Sequence, residues 1–158
     1  MTYQFRTMTQ EQAENIAFNW HYKGEYSFYN MEADKEDLEE FLTPETRGSS
    51  TFAVTNDNNL IGFITVNKVA DKTFDIGLGM RPDLTGKGEG IEFLKEGLVF
   101  IKTKYQPEKL TLSVATFNQR AITVYKRIGF KEKETYMQHT NGSTFEFLRM
   151  EFRYDFIE

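Results

Sequence analysis

The order in which strand-like and helix-like segments follow one another limits this 158-residue chain to few folds. Two β-rich runs, TFAVT and LIGFITVNKV, flank the turn signal NDNN, and a third run, TFDIGLGM, follows the turn ADK. Apolar residues at helical spacing then predict a helix over residues 88–105, ahead of the strand-like run KLTLSVAT. A strand meander followed by a helical crossover implies one twisted sheet with helices on its faces.

Both ends of the chain extend this pattern. The run YQFRTMT predicts a first strand, Thr9 and Gln12 form a capping-box pattern that opens a helix, and KEDLEEFL predicts a second helix. Downstream, NQRAITVYKRI predicts a helix that Gly129 caps. Two further strand-like runs flank Asn141 and Gly142, a dipeptide typical of hairpin turns.

The whole series predicts an α+β (mixed α/β) fold, with a single twisted and mostly antiparallel sheet of about seven strands flanked by about four helices. We find no repeat, low-complexity segment or linker, so we expect one domain over residues 1–158. In the last strand-like run the apolar alternation slips between Phe147 and Leu148, which predicts a bulge or a change of face.

The composition argues against several classes of protein. The formal net charge is −5 and no dense basic cluster is present, so nucleic acid is not an expected partner. Without cysteine the chain has no disulfide, thiolate nucleophile or cysteine-type zinc site, and we expect no metal. The N-terminus MTYQFRTMTQ does not resemble a signal peptide, and no run approaches the length of a membrane span. We therefore expect a cytoplasmic protein with no membrane partner.

Glycines at alternate positions, Gly86, Gly88 and Gly90, precede the long helix. A helix N-terminus presents unpaired backbone N–H groups and a partial positive charge, and residues without side chains let phosphate oxygens approach it. The segment therefore predicts a pyrophosphate cradle, and the alternative is a glycine-rich turn with no ligand. Two more glycines, Gly77 and Gly79, interrupt the preceding strand and suggest a bulge or a backbone that something approaches closely.

A second group of residues lies downstream, where Asn118 stands at a strand-to-helix junction and Tyr125 about two turns further along. Here the sequence resembles the GNAT superfamily of acyl-CoA-dependent N-acyltransferases. The segment MRPDLTGKGEG is similar to the pyrophosphate loop of that family, and NQRAITVYKRIGF is similar to its N-x-x-A-x-x-x-Y-x-x-x-G-F signature. The resemblance covers nearly the whole chain in element order, and it implies acetyl-CoA as the co-substrate.

The resemblance also implies roles for the matching positions. Backbone groups of Leu78, Gly79 and Met80 would meet the pantetheine arm. Asn118 would contact the cofactor, and Tyr125 would lie near the thioester sulfur and protonate the leaving thiolate. The residues that would hold the pyrophosphate are Gly86, Lys87, Gly88, Glu89, Gly90 and Ile91.

The sequence departs from the family pattern at three positions. Thr85 stands where the family usually has Arg or Gln, and Glu89 brings a negative charge close to the expected phosphates. Ser113 takes the place of a glutamate base that some members carry. Asp75 is the nearest substitute and could accept the amine proton through water; the alternative is an exposed strand carboxylate without a catalytic role.

The acceptor site is expected in the segment WHYKGEYSFYNM, residues 20–31, which commonly lines the acceptor pocket in this family. The alternative is a hydrophobic plug over the sheet. Glu25 could attract a cationic amine, and the acceptor is either a small molecule or a protein or peptide amine. The resemblance leaves a homodimer open. The candidate acceptor-binding residues are Trp20, Tyr22, Glu25, Tyr26 and Tyr29.

Taken together, these features predict an N-acetyltransferase that moves the acetyl group of acetyl-CoA to a primary amine. Direct attack in a ternary complex is simpler than an acyl-enzyme, because the chain contains no cysteine. The rival class is a non-catalytic acyl-CoA sensor, which could dispense with Tyr125; a structural module without a ligand is the third alternative.

Overall fold

The computed structural model describes residues 3–85 and 88–154, which build one seven-stranded sheet in the order β1-β2-β3-β4-β5-β7-β6. Neighbouring strands pair antiparallel except β4 and β5, which pair parallel. The predicted fold class is thereby confirmed. The strands are β1 (Tyr3–Thr7), β2 (Thr51–Asn56), β3 (Asn59–Ala70), β4 (Thr73–Met80), β5 (Lys109–Ala115), β6 (Lys131–Thr140) and β7 (Ser143–Arg153).

Helices cover both faces of the sheet. The four predicted helices are present, and α4 begins at Gly90, slightly later than predicted. The short helix α3 and three 3₁₀ helices, over Gly24–Tyr29, Met31–Ala33 and Pro82–Leu84, were not predicted. Among the helices of the described residues, none combines the length and apolar character needed to cross a membrane. The α-helices are α1 (Gln10–Asn19), α2 (Lys35–Leu42), α3 (Pro44–Arg47), α4 (Gly90–Tyr105) and α5 (Gln119–Ile128).

The alternation of side chains along the strands divides the core between the two faces. On β2, Val54 belongs to the cluster beneath α4 and α5, whereas Ala53 belongs to the cluster beneath α1 and α2. The first cluster includes the fully buried Ile64, Ile101 and Met150. The sheet therefore has one pair of longer helices on each side.

Strands β4 and β5 part after a short stretch of pairing. Their register comprises Thr73 with Lys109, Phe74 with Leu110 and Asp75 with Thr111. Beyond that point β4 continues to Met80 and β5 to Ala115 without pairing to each other. The splay opens a cleft in the middle of the sheet, between the strand ends that precede α4 and α5.

Strand β7 keeps a regular register with β5, and its apolar side chains change from one face of the sheet to the other. Phe145 and Phe147 pack against Phe28, whereas Leu148 and Met150 belong to the core cluster beneath α4. The register shift of the β6–β7 pair lies in β6, between Glu132 and Glu134. Of the two predicted alternatives the change of face is therefore observed in β7, and the bulge belongs to its neighbour.

Candidate active site

The splay forms a cleft of about 700 Å³, a volume that suits a small-molecule site. Its walls come from β4, β5, the first turn of α4, helix α5 and residues 20–31, which we call the aromatic strap. Of the residues predicted for the site, those that line the cleft are Trp20, Tyr22, Tyr26, Tyr29, Leu78, Gly79, Met80, Gly88, Gly90, Ile91, Asn118 and Tyr125.

The backbone of β4 faces the cleft at alternate residues. Arg81 N donates to Ile61 O at 2.8 Å. Together with the register of β3 and β4, this hydrogen bond shows which residues point their N–H and C=O groups toward β3. By the alternation of an antiparallel ladder, the backbone groups of Leu78 and Met80 point to the opposite side. Because β5 has turned away there, these groups face the open cleft.

Packing within the protein explains the glycines of β4. The register of β3 with β4 is continuous at Gly77 and Gly79, so the predicted bulge is absent. A Cβ on Gly79 would collide with the ring of Phe63, and a Cβ on Gly77 would lie 2.6 Å from Thr65 Oγ1. The close approach predicted from the sequence is therefore made by side chains of β3.

Among the described residues of the turn before α4, Gly88 and Gly90 leave open space that a phosphate requires. Gly88 has φ +80°, a backbone conformation that favours glycine, and a Cβ on Gly90 would meet no atom within 4 Å. Glu89, the N-cap residue, makes no side-chain capping bond to the first N–H groups of the helix. Gly86 and Lys87 lie outside the described residues.

Asn118 joins α5 to the aromatic strap. Its Oδ1 accepts from Ala121 N at 3.2 Å and caps the helix, while its Nδ2 donates to Tyr29 Oη at 3.3 Å. Ala115 N, at the end of β5, donates to the same Tyr29 oxygen at 3.3 Å. Asn118 therefore orders both the helix start and one end of the strap.

The strap bridges the two splayed strands. Tyr22 Oη donates to Met80 O at 2.6 Å on the β4 side, and Tyr29 meets Ala115 on the β5 side. Burial raises the pKa of Tyr22 to about 12, so its hydroxyl stays a donor at neutral pH. Tyr26 lines the cleft between these anchors, whereas Glu25 is exposed and is not one of the described lining residues.

Tyr125 projects from α5 into the same cleft. Its ring lies 5.7 Å from that of Phe130, measured between centroids, and the structure gives its hydroxyl no hydrogen-bond partner among the described residues. Burial, followed by the charge that Tyr29 would carry, raises the pKa of Tyr125. The phenol therefore keeps its proton at neutral pH and is free to donate it to a bound molecule.

Comparison with protein-family models decides the family. Residues 3–131 match the model described as an acetyltransferase (GNAT) domain. The chain belongs to the GNAT acetyltransferase family. Members of this family are acyltransferases. The cleft described above is the candidate active site of this chain.

Solved structures share this GNAT fold. A GNAT-family acetyltransferase from Bacillus anthracis superposes with a TM-score of 0.75 at 17% identity, covering 97% of this chain and 95% of that one. A spermidine N-acetyltransferase from Vibrio cholerae, in complex with CoA and spermine, gives 0.72 at 20% identity, with coverage of 96% and 95%. At such identities the likeness shows the fold alone. No curated protein matches the chain by sequence.

Asp75 lies where β4 and β5 part in this GNAT domain. It accepts a hydrogen bond from Thr111 Oγ1 at 2.7 Å and is half-buried, and it is not one of the described residues that line the cleft. The geometry thus brings Tyr125 and Asn118 together but leaves Asp75 outside their cleft. Ser113 does line it, and its Oγ accepts from Tyr136 Oη at 2.7 Å.

The two departures from the GNAT loop pattern have different positions. Thr85 lines the cleft, and its hydroxyl donates to Pro82 O at 2.7 Å within the turn. Glu89 is exposed and is not one of the described lining residues. Within the described residues no group of three or more His, Asp or Glu side chains is placed to hold a metal ion.

Sequence reasoning missed Arg120. Its guanidinium carbon lies 4.3 Å from the centroid of the Tyr26 ring, so it stacks on the strap at the edge of the cleft. The sequence did place Arg120 in the first turn of the helix that Asn118 caps. Its contact with residue 26 depends on tertiary packing and has no counterpart in the local pattern.

Proposed function

We propose that this GNAT-family protein is an N-acetyltransferase that transfers the acetyl group of acetyl-CoA to an amine by direct attack in a ternary complex. One observation carries the proposal: the splay brings a free tyrosine hydroxyl, outward-facing β4 backbone groups and an open helix N-terminus onto one cleft. The Vibrio cholerae structure with CoA and spermine supports an amine as acceptor.

The residues of the cleft fit acetyl-CoA. The backbone amides at Gly88, Gly90 and Ile91 would hold the pyrophosphate, because Glu89 makes no side-chain capping bond and no described atom lies within 4 Å of a Cβ built on Gly88 or Gly90. The backbone groups of Leu78 and Met80 would bind the pantetheine arm as an extra strand edge. When bound, acetyl-CoA supplies the thioester that the amine attacks.

Tyr125 acts as the general acid. Its hydroxyl holds the proton that the sulfur of the departing thiolate takes up, and burial keeps that proton on the phenol at neutral pH. The N–H of Met80 polarises the thioester carbonyl, because it faces the cleft from a strand that the Tyr22 hydrogen bond holds in place. Water in the cleft takes the proton of the amine.

The experiment has two steps. The first compares thermal unfolding with and without acetyl-CoA, which should raise the melting temperature because it binds the native state. The second measures CoA release with a panel of amines, using the reaction without amine as control, and should show amine-dependent release. Binding without release from any amine would instead identify an acyl-CoA sensor, and no binding would identify a module without this ligand.

A further inference from the structure

We propose that the acceptor is a monoamine with an apolar body about the size of an aromatic ring, and that Arg120 disfavours polycations. This inference rests on the proposed acetyl transfer and adds the chemical class of its acceptor. Two observations carry it, namely the composition of the strap side of the cleft and the positive charge fixed at its edge.

The strap side of the cleft is a wall of large apolar surfaces. Trp20 is 5% exposed, and its ring centroid lies 6.4 Å from that of Phe63, which reaches the cleft from β3. The hydroxyls of Tyr22 and Tyr29 are hydrogen-bonded within the protein, so the apolar part of each side chain is what remains for a bound molecule. A wall of rings selects a ligand that buries apolar area against it.

The charges along the cleft have one sign in the described part of the chain. The charged side chains that line it there are Arg120 and Arg127, both on α5. Arg120 is held in place by its stacking on Tyr26, so its charge is fixed beside the strap. A polyamine would bring its additional positive charges close to this guanidinium, and like charges repel. A monoamine that loses its proton on the way to attack carries no such charge.

The two effects act in the same direction. Burying an aromatic-sized body is expected to favour a monoamine by roughly 10- to 100-fold in kcat/KM. The repulsion from one exposed arginine adds about threefold against each further cation close to it. Acceptor discrimination should therefore arise mainly from the rings of the strap, with a smaller part that can be assigned to Arg120.

The test compares 2-phenylethylamine with spermidine as acceptors at saturating acetyl-CoA. We expect kcat/KM to be roughly 10-fold or more higher for 2-phenylethylamine. Arg120→Gln should raise the ratio of spermidine to 2-phenylethylamine by about threefold, whereas Arg120→Lys, which keeps the charge, should restore the wild-type ratio. Arg153→Gln removes the same charge from the far end of β7 and serves as the matched control, for which the ratio should not change.

The outcomes separate the acceptor class from the reaction. Equal or preferential use of spermidine would overturn the acceptor class and leave acetyl transfer standing. Failure to release CoA with any amine, while acetyl-CoA still raises the melting temperature, would overturn the proposed function and the acceptor class with it. A preference for 2-phenylethylamine that Arg120→Gln leaves unchanged would remove Arg120 from the account of specificity.

Discussion

The Met80 carbonyl accepts the Tyr22 hydroxyl, and this hydrogen bond joins the aromatic strap to the open part of β4. The splay has deprived that carbonyl of a partner on β5, so the tyrosine replaces a missing ladder bond. Met80 also carries the N–H group that we propose polarises the thioester carbonyl. In the proposed mechanism Tyr22 is therefore a positioning residue, whose ring lines the cleft and whose hydroxyl orders β4 at Met80.

Asp75 offers a test of where the amine proton goes. Because Asp75 lies at the closed end of the splay, bonded to Thr111 and outside the cleft lining, we expect Asp75→Asn to keep kcat within about twofold of wild type between pH 7 and 9. Steady-state kinetics at several pH values measures this.

The matched control for Asp75 is Thr111→Val, which removes the hydrogen bond and keeps the carboxylate. A fall of about 100-fold in Asp75→Asn alone, with partial recovery at high pH, would show that the carboxylate is the base.

Secondary-structure elements with local signals were predicted well. The capping box is present, with Gln12 N donating to Thr9 Oγ1 at 3.1 Å and Thr9 N donating to Gln12 Oε1 at 2.9 Å. Both residues of the Asn141-Gly142 turn have positive φ, as the hairpin signal required. These features depend on residues a few positions apart, which a single sequence displays directly.

The point at which β4 and β5 part and the path of the strap were not predicted from the sequence. The sequence gives the strand content of TFDIGLGM and KLTLSVAT, but the point at which β4 and β5 part depends on how α4 and α5 pack across the sheet. The sequence singled out the strap as a segment, without its path; the structure folds it into 3₁₀ turns anchored by hydrogen bonds to residues far away in the chain. Contacts between residues so far apart in the chain produce no periodic pattern in the sequence.

The prediction on cofactor binding concerns Gly90, in the first turn of α4. Gly90→Val places a branched side chain in open space, at a residue without a positive φ, so the fold should keep its melting temperature. We expect the affinity for acetyl-CoA to fall roughly 10- to 100-fold, because the branched side chain displaces phosphate oxygens from one or more backbone amides. Titration calorimetry measures this change.

Lys35→Val is the control for Gly90→Val, because it places the same side chain at the first residue of α2. Its affinity for acetyl-CoA should equal that of the wild type. Unchanged affinity in Gly90→Val itself would remove the helix start from the cofactor site.

At the scale of the whole molecule, Asp34 ties the helical face to the distant β6–β7 hairpin. Its Oδ2 accepts from Asn141 N and from Thr140 Oγ1, each at 3.0 Å, while its Oδ1 caps α2 by accepting from Asp37 N at 3.1 Å. These hydrogen bonds, that from Asn141 first, lower the pKa of Asp34. The carboxylate thus links the start of α2 to the last hairpin.

The pKa of Asp34 makes stability depend on pH. A carboxyl whose pKa is lower in the folded state stabilises the fold above its unfolded pKa of about 3.9, and this contribution is lost as pH falls through the folded pKa. Asp34→Ala should therefore lower the melting temperature clearly at pH 7 and much less at pH 2. Thermal unfolding across this range measures the difference.

Glu36→Gln, an exposed change on the same helix, is the control for Asp34→Ala and should show no comparable difference. A deficit in Asp34→Ala that is the same at pH 2 as at pH 7 would contradict the assignment of this stabilisation to the carboxylate.

The glycine and asparagine motifs of the cleft were more predictable from the sequence than its wall of aromatic rings. The residues around Gly88 and Asn118 belong to short motifs whose backbone chemistry is local, and the structure places both motifs on one cleft. The aromatic wall combines side chains from several elements: Phe63 of β3 packs on Trp20, while Phe117 before α5 and Arg120 pack on Tyr26. No single stretch of sequence contains that set.

The central claim is that the cleft performs acetyl transfer with Tyr125 as the acid, and kcat of Tyr125→Phe tests it most directly. The substitution keeps the ring and removes a hydroxyl without a partner among the described residues, so melting temperature and acetyl-CoA affinity should hardly change. Tyr105→Phe, at the far end of α4, is the matched control and should keep wild-type kcat. We predict that kcat of Tyr125→Phe falls roughly 10- to 1000-fold. Wild-type kcat, or a loss that merely follows weaker acetyl-CoA binding, would contradict the account.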